Sequence, residues 1–250
     1  MNDQKQAFDR LIVPDANALA AVAADQFVAL ARAAMAANGR FSVALAGGST
    51  PQGMYRLLTQ TPRREQVNWT NVHVFWGDER FVPPDDPDSL WRMARNTLLD
   101  DLPIPDDQIH PMPTVGLSPA AAARQYTHTL ARFFASVPPR FDLILLGLGD
   151  DGHTASIFPG QPAVTPGPAW VMPVANAPKP PPTRLTLTFT IINQAANVIF
   201  LVTGAEKAQA VAQVLAGTPD PSQWPALGVQ PQNGRLLWLL DQAAGAQLAE

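Results

Sequence analysis

The sequence predicts a layered α/β fold built on a mostly parallel sheet. Short apolar segments, each the length of one buried strand, alternate with longer segments that have the periodicity of amphipathic helices. The clearest strands are residues 41–46, 72–77, 141–147 and 197–204. Because helical segments separate these strands, we expect right-handed crossovers that keep the strands parallel in one layered α/β fold.

The N-terminal half begins with a predicted helix over residues 15–38. Asp15 or Asn17 can cap this helix, and Gly39 follows it as a stop signal. A second helix follows the "GGST" turn, with Pro51 expected at its first position, where a missing N–H costs nothing. Further helices are predicted near residues 89–99 and 118–135.

The C-terminal half contains two kinds of predicted strand. Residues 141–147 are apolar, as in a strand buried on both faces, whereas residues 184–189 alternate apolar and polar side chains. The other predicted elements are strands at 169–175 and 235–240, a helix at 205–216 and a short helix ending at Glu250. Proline-rich loops interrupt this half, but the apolar strands around them favour one continuous sheet and a single domain over residues 1–250.

The composition restricts the functional class. Of the 250 residues, 46% are hydrophobic and 15% are charged, and the net charge of −4 argues against general nucleic-acid binding. Cysteine is absent, which excludes disulfides and thiolate chemistry. The polar N-terminus predicts no signal peptide, and no apolar run approaches the roughly 20 residues of a membrane span. We therefore expect a cytoplasmic protein, a monomer or weak homo-oligomer, with no nucleic-acid or membrane partner.

Four polar loops follow the predicted strands at their carboxyl ends, where open α/β sheets bind ligands. They are residues 47–50, 77–84, 147–156 and 203–207. The first combines Gly47 and Gly48 with Ser49 and Thr50 at a helix start. Free N–H groups at such a start favour a phosphate or another anion, although an ordinary turn capped by Ser or Thr explains the same residues.

Basic side chains lie in or near the second and fourth loops. Asp78, Glu79 and Arg80 follow directly on an apolar strand end, and the planar guanidinium of Arg80 suits a carboxylate or a phosphate. Lys207 falls in the first turn of a predicted helix, where the dipole disfavours a cation unless an anion is bound nearby. Lys179 and Arg184 lie in a stretch without acidic residues. Solvated surface charges are the alternative explanation for each of them.

The third loop, "GLGDDGHTAS", matches the G-x-G-x-x-G pattern of dinucleotide sites. Residues 153–205 contain no acidic side chain that could hold a ribose, and the two aspartates of the loop would repel a pyrophosphate. What remains is His153 beside Asp151, the arrangement of a general base with an orienting acid. A capping aspartate beside an incidental surface histidine is the alternative. The other histidines lack metal-ligand spacing, so no metal is predicted.

Five stretches in sequence order carry a family resemblance that covers about residues 40–210. They are "LAGGSTPQGMYRLL", "FWGDERFVPPDDPDSLWRMARNTLL", "FDLILLGLGDDGHTASIFPG", "KPPPTRLTLT" and "VTGAEK". With them the chain resembles the glucosamine-6-phosphate isomerase/6-phosphogluconolactonase family, and its lactonase branch in particular. The resemblance implies a three-layer α/β/α fold of the isomerase/CoA-transferase type. It also implies hydrolysis of 6-phospho-D-glucono-1,5-lactone in the oxidative pentose phosphate pathway, with a phosphosugar lactone as substrate and no cofactor.

The resemblance also assigns roles by position. The family's catalytic histidine falls on His153, its neighbouring aspartate on Asp151, and its "DER" pair on Asp78 and Arg80. The phosphate loop falls on Gly47, Gly48, Ser49 and Thr50, and the basic substrate positions fall on Lys179, Arg184 and Lys207. Which of the basic residues contacts the phosphate and which lies near the lactone stays open.

Two other functions are alternatives. The isomerase/deaminase branch has a glutamate five residues after the histidine, where this chain has Phe158, and a tyrosine after "DE", where it has Arg80. Both departures favour the lactonase branch. A non-catalytic sugar-phosphate sensor would need a DNA-binding helix-turn-helix, whereas one alanine-rich helix with little positive charge precedes the first predicted strand.

Overall fold

The computed structural model describes residues 8–135, 138–216 and 220–248. Within those residues it contains nine strands and six α-helices. In chain order they are β1 (Asp9–Val13), α1 (Ala16–Asn38), β2 (Phe41–Leu45), α2 (Ser49–Leu58), β3 (Val72–Trp76), β4 (Asp78–Arg80), α3 (Leu90–Thr97), α4 (Pro119–Phe134), β5 (Leu143–Leu146), β6 (Val171–Val174), β7 (Arg184–Leu187), α5 (Phe189–Ile192), β8 (Asn197–Val202), α6 (Ala208–Ala216) and β9 (Arg235–Asp241).

The main sheet has six parallel strands in the order β1-β9-β8-β5-β2-β3. Every residue of β2 and β5 is buried, as their apolar sequences predict for central strands covered on both faces. Helix α1 packs against α2 and against β2 and β9, whereas α4 packs against β6 and β7. The predicted α/β fold with a mostly parallel sheet is therefore confirmed.

The expectation of one continuous sheet is wrong, because three strands form a second, antiparallel sheet in the order β4-β7-β6. Gly77 connects the two sheets. Its N–H donates to the carbonyl of Leu45 in the main sheet (3.0 Å), and its carbonyl accepts from the N–H of Leu187 in the small sheet (2.8 Å). The chain thus leaves the parallel sheet at Gly77 and pairs at once with β7. All four residues of β7 are buried, rather than alternate ones as expected.

Most predicted boundaries agree with the structure. The carboxylate of Asp15 caps α1 by accepting from the N–H of Ala18 (2.9 Å), and Gly39 ends the helix in the left-handed conformation (φ 74°). Three expectations fail. Pro51 is the third helical residue rather than the first, residues 242–248 form turns rather than a helix, and β1 and β4 were not predicted. Glu250, the expected end of the last helix, lies outside the described residues.

Helix α1 has 23 residues and is apolar enough, by length and composition alone, to cross a membrane. The expectation that no apolar run approaches that length is therefore wrong for this helix. In the fold, one face of α1 is covered by α2 and by the main sheet. Leu19, Ala23 and Phe27 on that face are almost completely buried, as in the core helix of an α/β protein.

Two tyrosines fix the carboxyl ends of β2 and β3. The hydroxyl of Tyr55, on α2, accepts from the N–H of Ala46 (3.1 Å) and donates to its carbonyl (2.9 Å). The hydroxyl of Tyr126, on α4, accepts from the N–H of Trp76 (3.0 Å). Both side chains are completely buried, and burial holds the pKa of each phenol well above its usual range. At the end of each strand, a tyrosine hydroxyl thus satisfies backbone groups that no neighbouring strand reaches.

We expect Tyr55→Phe to lower the free energy of unfolding by about 1–3 kcal/mol, because the buried N–H and carbonyl of Ala46 lose their partner while the ring still fills its space. Urea denaturation followed by circular dichroism measures the change. The control is Thr70→Val, which replaces an exposed hydroxyl and should change the stability by less than about 0.5 kcal/mol. Equal effects of the two substitutions would contradict the role of the Tyr55 hydroxyl.

Candidate active site

A cavity of about 180 Å³ lies beyond the carboxyl ends of β2, β3 and β5. All four predicted loops contribute to its wall, and β7 adds one side chain. The predicted site residues that line it are Gly47, Gly48, Asp78, Arg80, His153, Arg184 and Lys207. Three cations and one carboxylate therefore face one small space, which favours an anionic ligand.

The histidine loop folds back on itself immediately after β5. The N–H of Gly149 donates to the carbonyl of His153 (2.8 Å), and the N–H of Gly152 donates to the carbonyl of Gly149 (3.0 Å). Within this turn the Asp151 carboxylate contacts both the Nδ1 of His153 (2.5 Å) and its backbone N–H (3.1 Å). The predicted pairing of His153 with Asp151 is present in the structure.

The ionisation of Asp151 determines which nitrogen of His153 carries the proton. Burial alone would raise the pKa of Asp151, but the hydrogen bond and the charge of His153 outweigh it and lower the pKa to about 2. Because this carboxylate can only accept above that pH, Nδ1 of a neutral imidazole must hold the proton. The lone pair is then on Nε2, the ring nitrogen that Asp151 leaves free for a ligand.

An aromatic side chain packs against the imidazole of His153. The ring of Phe158 lies 4.4 Å from that of His153, centroid to centroid, and is completely buried. The guanidinium of Arg184 lies over the same ring, 5.5 Å from its centroid. Phe158 thus contacts both the histidine and one of the cavity arginines.

Strand β4 divides its three side chains between two environments. Successive residues of a strand point to opposite faces, so Asp78 and Arg80 reach the cavity whereas Glu79 points away. The buried Asp78 carboxylate accepts from the hydroxyl of Ser156 (2.7 Å), which ties β4 to the histidine loop. Burial raises the pKa of Glu79 to about 7, although bonds from three backbone N–H groups oppose that rise. The sequence predicts no role for Ser156, and it predicts none for Glu79 beyond its place in the charged loop after β3.

The two cavity arginines are held by backbone carbonyls. Arg80 donates from Nη1 to the carbonyl of Asp88 (2.7 Å), and its buried Nε has no partner among the described residues. Arg184 donates from Nε to the carbonyl of Pro181 (3.1 Å) and from Nη2 to that of Lys179 (3.0 Å). Neither forms an ion pair among the described residues, so both keep their charge available to a ligand.

The glycine loop differs from its prediction in one respect. Helix α2 begins at Ser49 behind Gly48 (φ 100°), with no side-chain cap, so the expectation that Ser49 or Thr50 caps this helix is wrong. The Thr50 hydroxyl instead lies 2.8 Å from that of Thr203, which joins the first loop to the fourth. The helix start is therefore left uncapped next to the cavity.

Besides Asp151, three other predicted positions lie outside the set that lines the cavity. They are Ser49, Thr50 and Lys179. Lys179 forms an ion pair with Asp150, the first aspartate of the histidine loop, and this bond lowers the pKa of Asp150. Among the described residues, no group of three or more acidic or histidine side chains is arranged to hold a metal ion.

The fold and the cavity together fit an α/β enzyme with an anionic substrate, in which a histidine–aspartate pair lies beside cationic side chains. The family model for glucosamine-6-phosphate isomerases/6-phosphogluconolactonase matches residues 14–238. The chain belongs to this family.

Individual relatives point to one branch of it. A 6-phosphogluconolactonase of Synechocystis sp. is 50% identical, with 86% of this chain and 88% of the relative covered. One of Mycobacterium tuberculosis is 42% identical, with 95% and 97% covered. The solved structure of the 6-phosphogluconolactonase of Trypanosoma brucei superposes with a TM-score of 0.83 at 34% identity, over 98% of this chain and all of that one.

We expect Gly149→Ala to separate His153 from Asp151, because the added Cβ would overlap the Nδ1 of His153 and lie 2.5 Å from the Oδ1 of Asp151. The pKa of Asp151, measured by carbon NMR titration, should rise from about 2 towards the ordinary value. Gly147→Ala is the matched control, since its Cβ meets nothing within 4 Å, and it should leave that pKa in place. An unchanged pKa in Gly149→Ala would show that the contact does not need this glycine.

Proposed function

We propose that this chain hydrolyses 6-phospho-D-glucono-1,5-lactone to 6-phospho-D-gluconate, as the single enzyme domain of a cytoplasmic protein in the oxidative pentose phosphate pathway. The observation that carries the proposal is the His153–Asp151 pair at the wall of a cavity that also holds three cations. The names of the relatives support the substrate. We expect a monomer or weak homo-oligomer.

In the proposed mechanism His153 is the general base. The lone pair on Nε2 takes a proton from a water molecule, whose oxygen attacks the lactone carbonyl. The resulting imidazolium is stabilised by the ionised Asp151, to which it is already bonded. When the tetrahedral intermediate collapses, the imidazolium returns its proton to the departing ring oxygen. Neutral imidazole is thereby restored, and the open-chain carboxylic acid that forms releases its remaining proton to the solvent and leaves as the carboxylate.

We propose that the cations of the cavity bind the phosphate of the substrate and stabilise the negative charge that develops on its carbonyl oxygen. Lys207 and the uncapped start of α2, beside Gly48, suit the phosphate. Arg80 and Arg184 lie with Asp78 on the small sheet, and either guanidinium can stabilise the negative charge that develops on the carbonyl oxygen. Fixing the phosphate at a distance from the lactone orients the carbonyl towards His153. This scheme uses no cofactor.

We expect His153→Ala to lower kcat by about 10²- to 10⁴-fold with a smaller change in KM, because the base acts in the transition state. A coupled assay on freshly prepared lactone, corrected for spontaneous hydrolysis, measures both constants. His128→Ala, at an exposed position on α4, is the control and should match the parent. A kcat of His153→Ala near the parent value would remove His153 from the mechanism.

We expect Arg80→Ala to lower kcat/KM by about 10- to 100-fold, the loss of one hydrogen-bonded charge. The same assay measures it. Arg92→Ala is a matched control, because Arg92 is an exposed arginine that donates to the carbonyl of Asp85 and lies outside the set that lines the cavity. If the two variants behaved alike, Arg80 would be an ordinary surface charge.

A further inference from the structure

We infer that Glu79 is a positioning residue for the cavity: its buried carboxylate fixes the first turn of α3 and, through that turn, the guanidinium of Arg80. Glu79 does not line the cavity, so it would act through its neighbours. The inference rests on the proposed function, because it concerns the placement of Arg80 for the same substrate.

The first observation is the set of bonds that the carboxylate accepts. Oε1 of Glu79 accepts from the N–H groups of Arg80 and Leu90, both at 2.8 Å, and Oε2 accepts from the N–H of Trp91 at 2.7 Å. Leu90 and Trp91 are the first two residues of α3, whose N–H groups have no partner within the helix. A carboxylate from another element thus completes the helix start, with favourable charge.

The second observation is a hydrogen bond that links Arg80 to the segment before α3. The Nη1 of Arg80 donates to the carbonyl of Asp88, two residues before Leu90. Glu79 holds α3 to β4 by accepting from the first two N–H groups of the helix. The segment that leads into α3 in turn holds the side chain of Arg80. Because the Nε of Arg80 has no partner among the described residues, the hydrogen bond to this carbonyl is what holds the guanidinium in place. Any shift of the helix start therefore moves Arg80.

The third observation extends the effect to the glycine loop. Leu90 lines the cavity, and its side chain lies so close to Gly47 that a Cβ there would overlap it. The residue whose N–H bonds to Glu79 therefore also packs against the loop that precedes α2. One buried carboxylate, 2% exposed, thus sets the distance between β4 and two parts of the cavity wall.

Simple capping of α3 is the competing explanation, and it makes a different prediction. If Glu79 only caps the helix, its loss lowers the free energy of unfolding and leaves turnover intact. A positioning residue that acts through Arg80 has an effect on turnover that depends on Arg80. Two residues that act as one unit give non-additive effects in a double-mutant cycle.

The test is a cycle of Glu79→Gln, Arg80→Ala and the double variant, with kcat and KM for the lactone measured for each. Glutamine keeps the shape of the side chain, but its NH₂ group must face an N–H donor of Arg80, Leu90 or Trp91. We expect Glu79→Gln to lower kcat/KM at least about tenfold in the parent, since small misplacements of a binding group are costly. In the Arg80→Ala background we expect less than about a twofold further change.

The matched control is Ser89→Ala, which removes the side-chain bond to the N–H of Arg92 at the same helix start. It should lower the stability by about 1 kcal/mol and leave kcat/KM within about twofold. Amide hydrogen exchange of residues 90 and 91 is a readout independent of turnover. It should be faster in Glu79→Gln than in the parent.

Three outcomes overturn the inference: a kcat/KM of Glu79→Gln within about twofold of the parent, an equal loss in the parent and Arg80→Ala backgrounds, or unchanged exchange at residues 90 and 91. If Glu79→Gln does not fold, Glu79→Asp supplies the same cycle, because its shorter chain cannot reach both N–H groups of α3. Failure of both variants to fold also overturns it, since a positioning role leaves the fold intact. A parent chain inactive on the lactone would instead refute the proposed function.

Discussion

The hydrogen bonds of Gly77 determine how the rest of the molecule is arranged around the cavity. One bond joins this residue to β2 in the parallel sheet and the other joins it to β7 in the antiparallel sheet. The next three residues, β4, therefore begin at the junction of the parallel sheet and the antiparallel sheet. Strand alternation then directs Asp78 and Arg80 into the cavity and Glu79 towards α3. Neither sheet alone would bring a parallel-strand loop and an antiparallel strand to the same point.

The carboxylates near the cavity are compatible with an anionic ligand because each has a partner within the protein. Asp151 is bonded to His153, Asp78 to Ser156, and Asp150 to Lys179. Glu79 accepts from backbone N–H groups on the far side of β4. The guanidinium groups bond instead to neutral carbonyls, so their charge is not cancelled. Three cationic side chains thus face the cavity against one carboxylate, Asp78, so its net charge is positive although the whole chain is acidic.

Local signals in the sequence predicted the parts of the fold that depend on local physics. The apolar strands, the Asp15 cap of α1 and its Gly39 stop all agree with the structure. The small sheet could not be found in this way, because β4 has only three residues, all of them charged, and its pairing with β7 joins residues about 100 positions apart. Separation along the chain also explains why no role was predicted for Ser156, whose hydroxyl lies 78 positions from Asp78. The partners of Glu79 lie on another element, 11 and 12 positions further on, and that pairing leaves no local pattern either. His153 and Asp151 were found because they are two residues apart.

The contact between Phe158 and His153 restricts which side chain position 158 can hold. Phe158 fills a completely buried space between the imidazole and the Arg184 guanidinium. A glutamate in that space would leave part of the volume empty and bring a second carboxylate to the imidazole, in competition with Asp151 for its proton. Position 158 is thus coupled to Asp151: a carboxylate there would weaken the bond that keeps the proton of His153 on Nδ1.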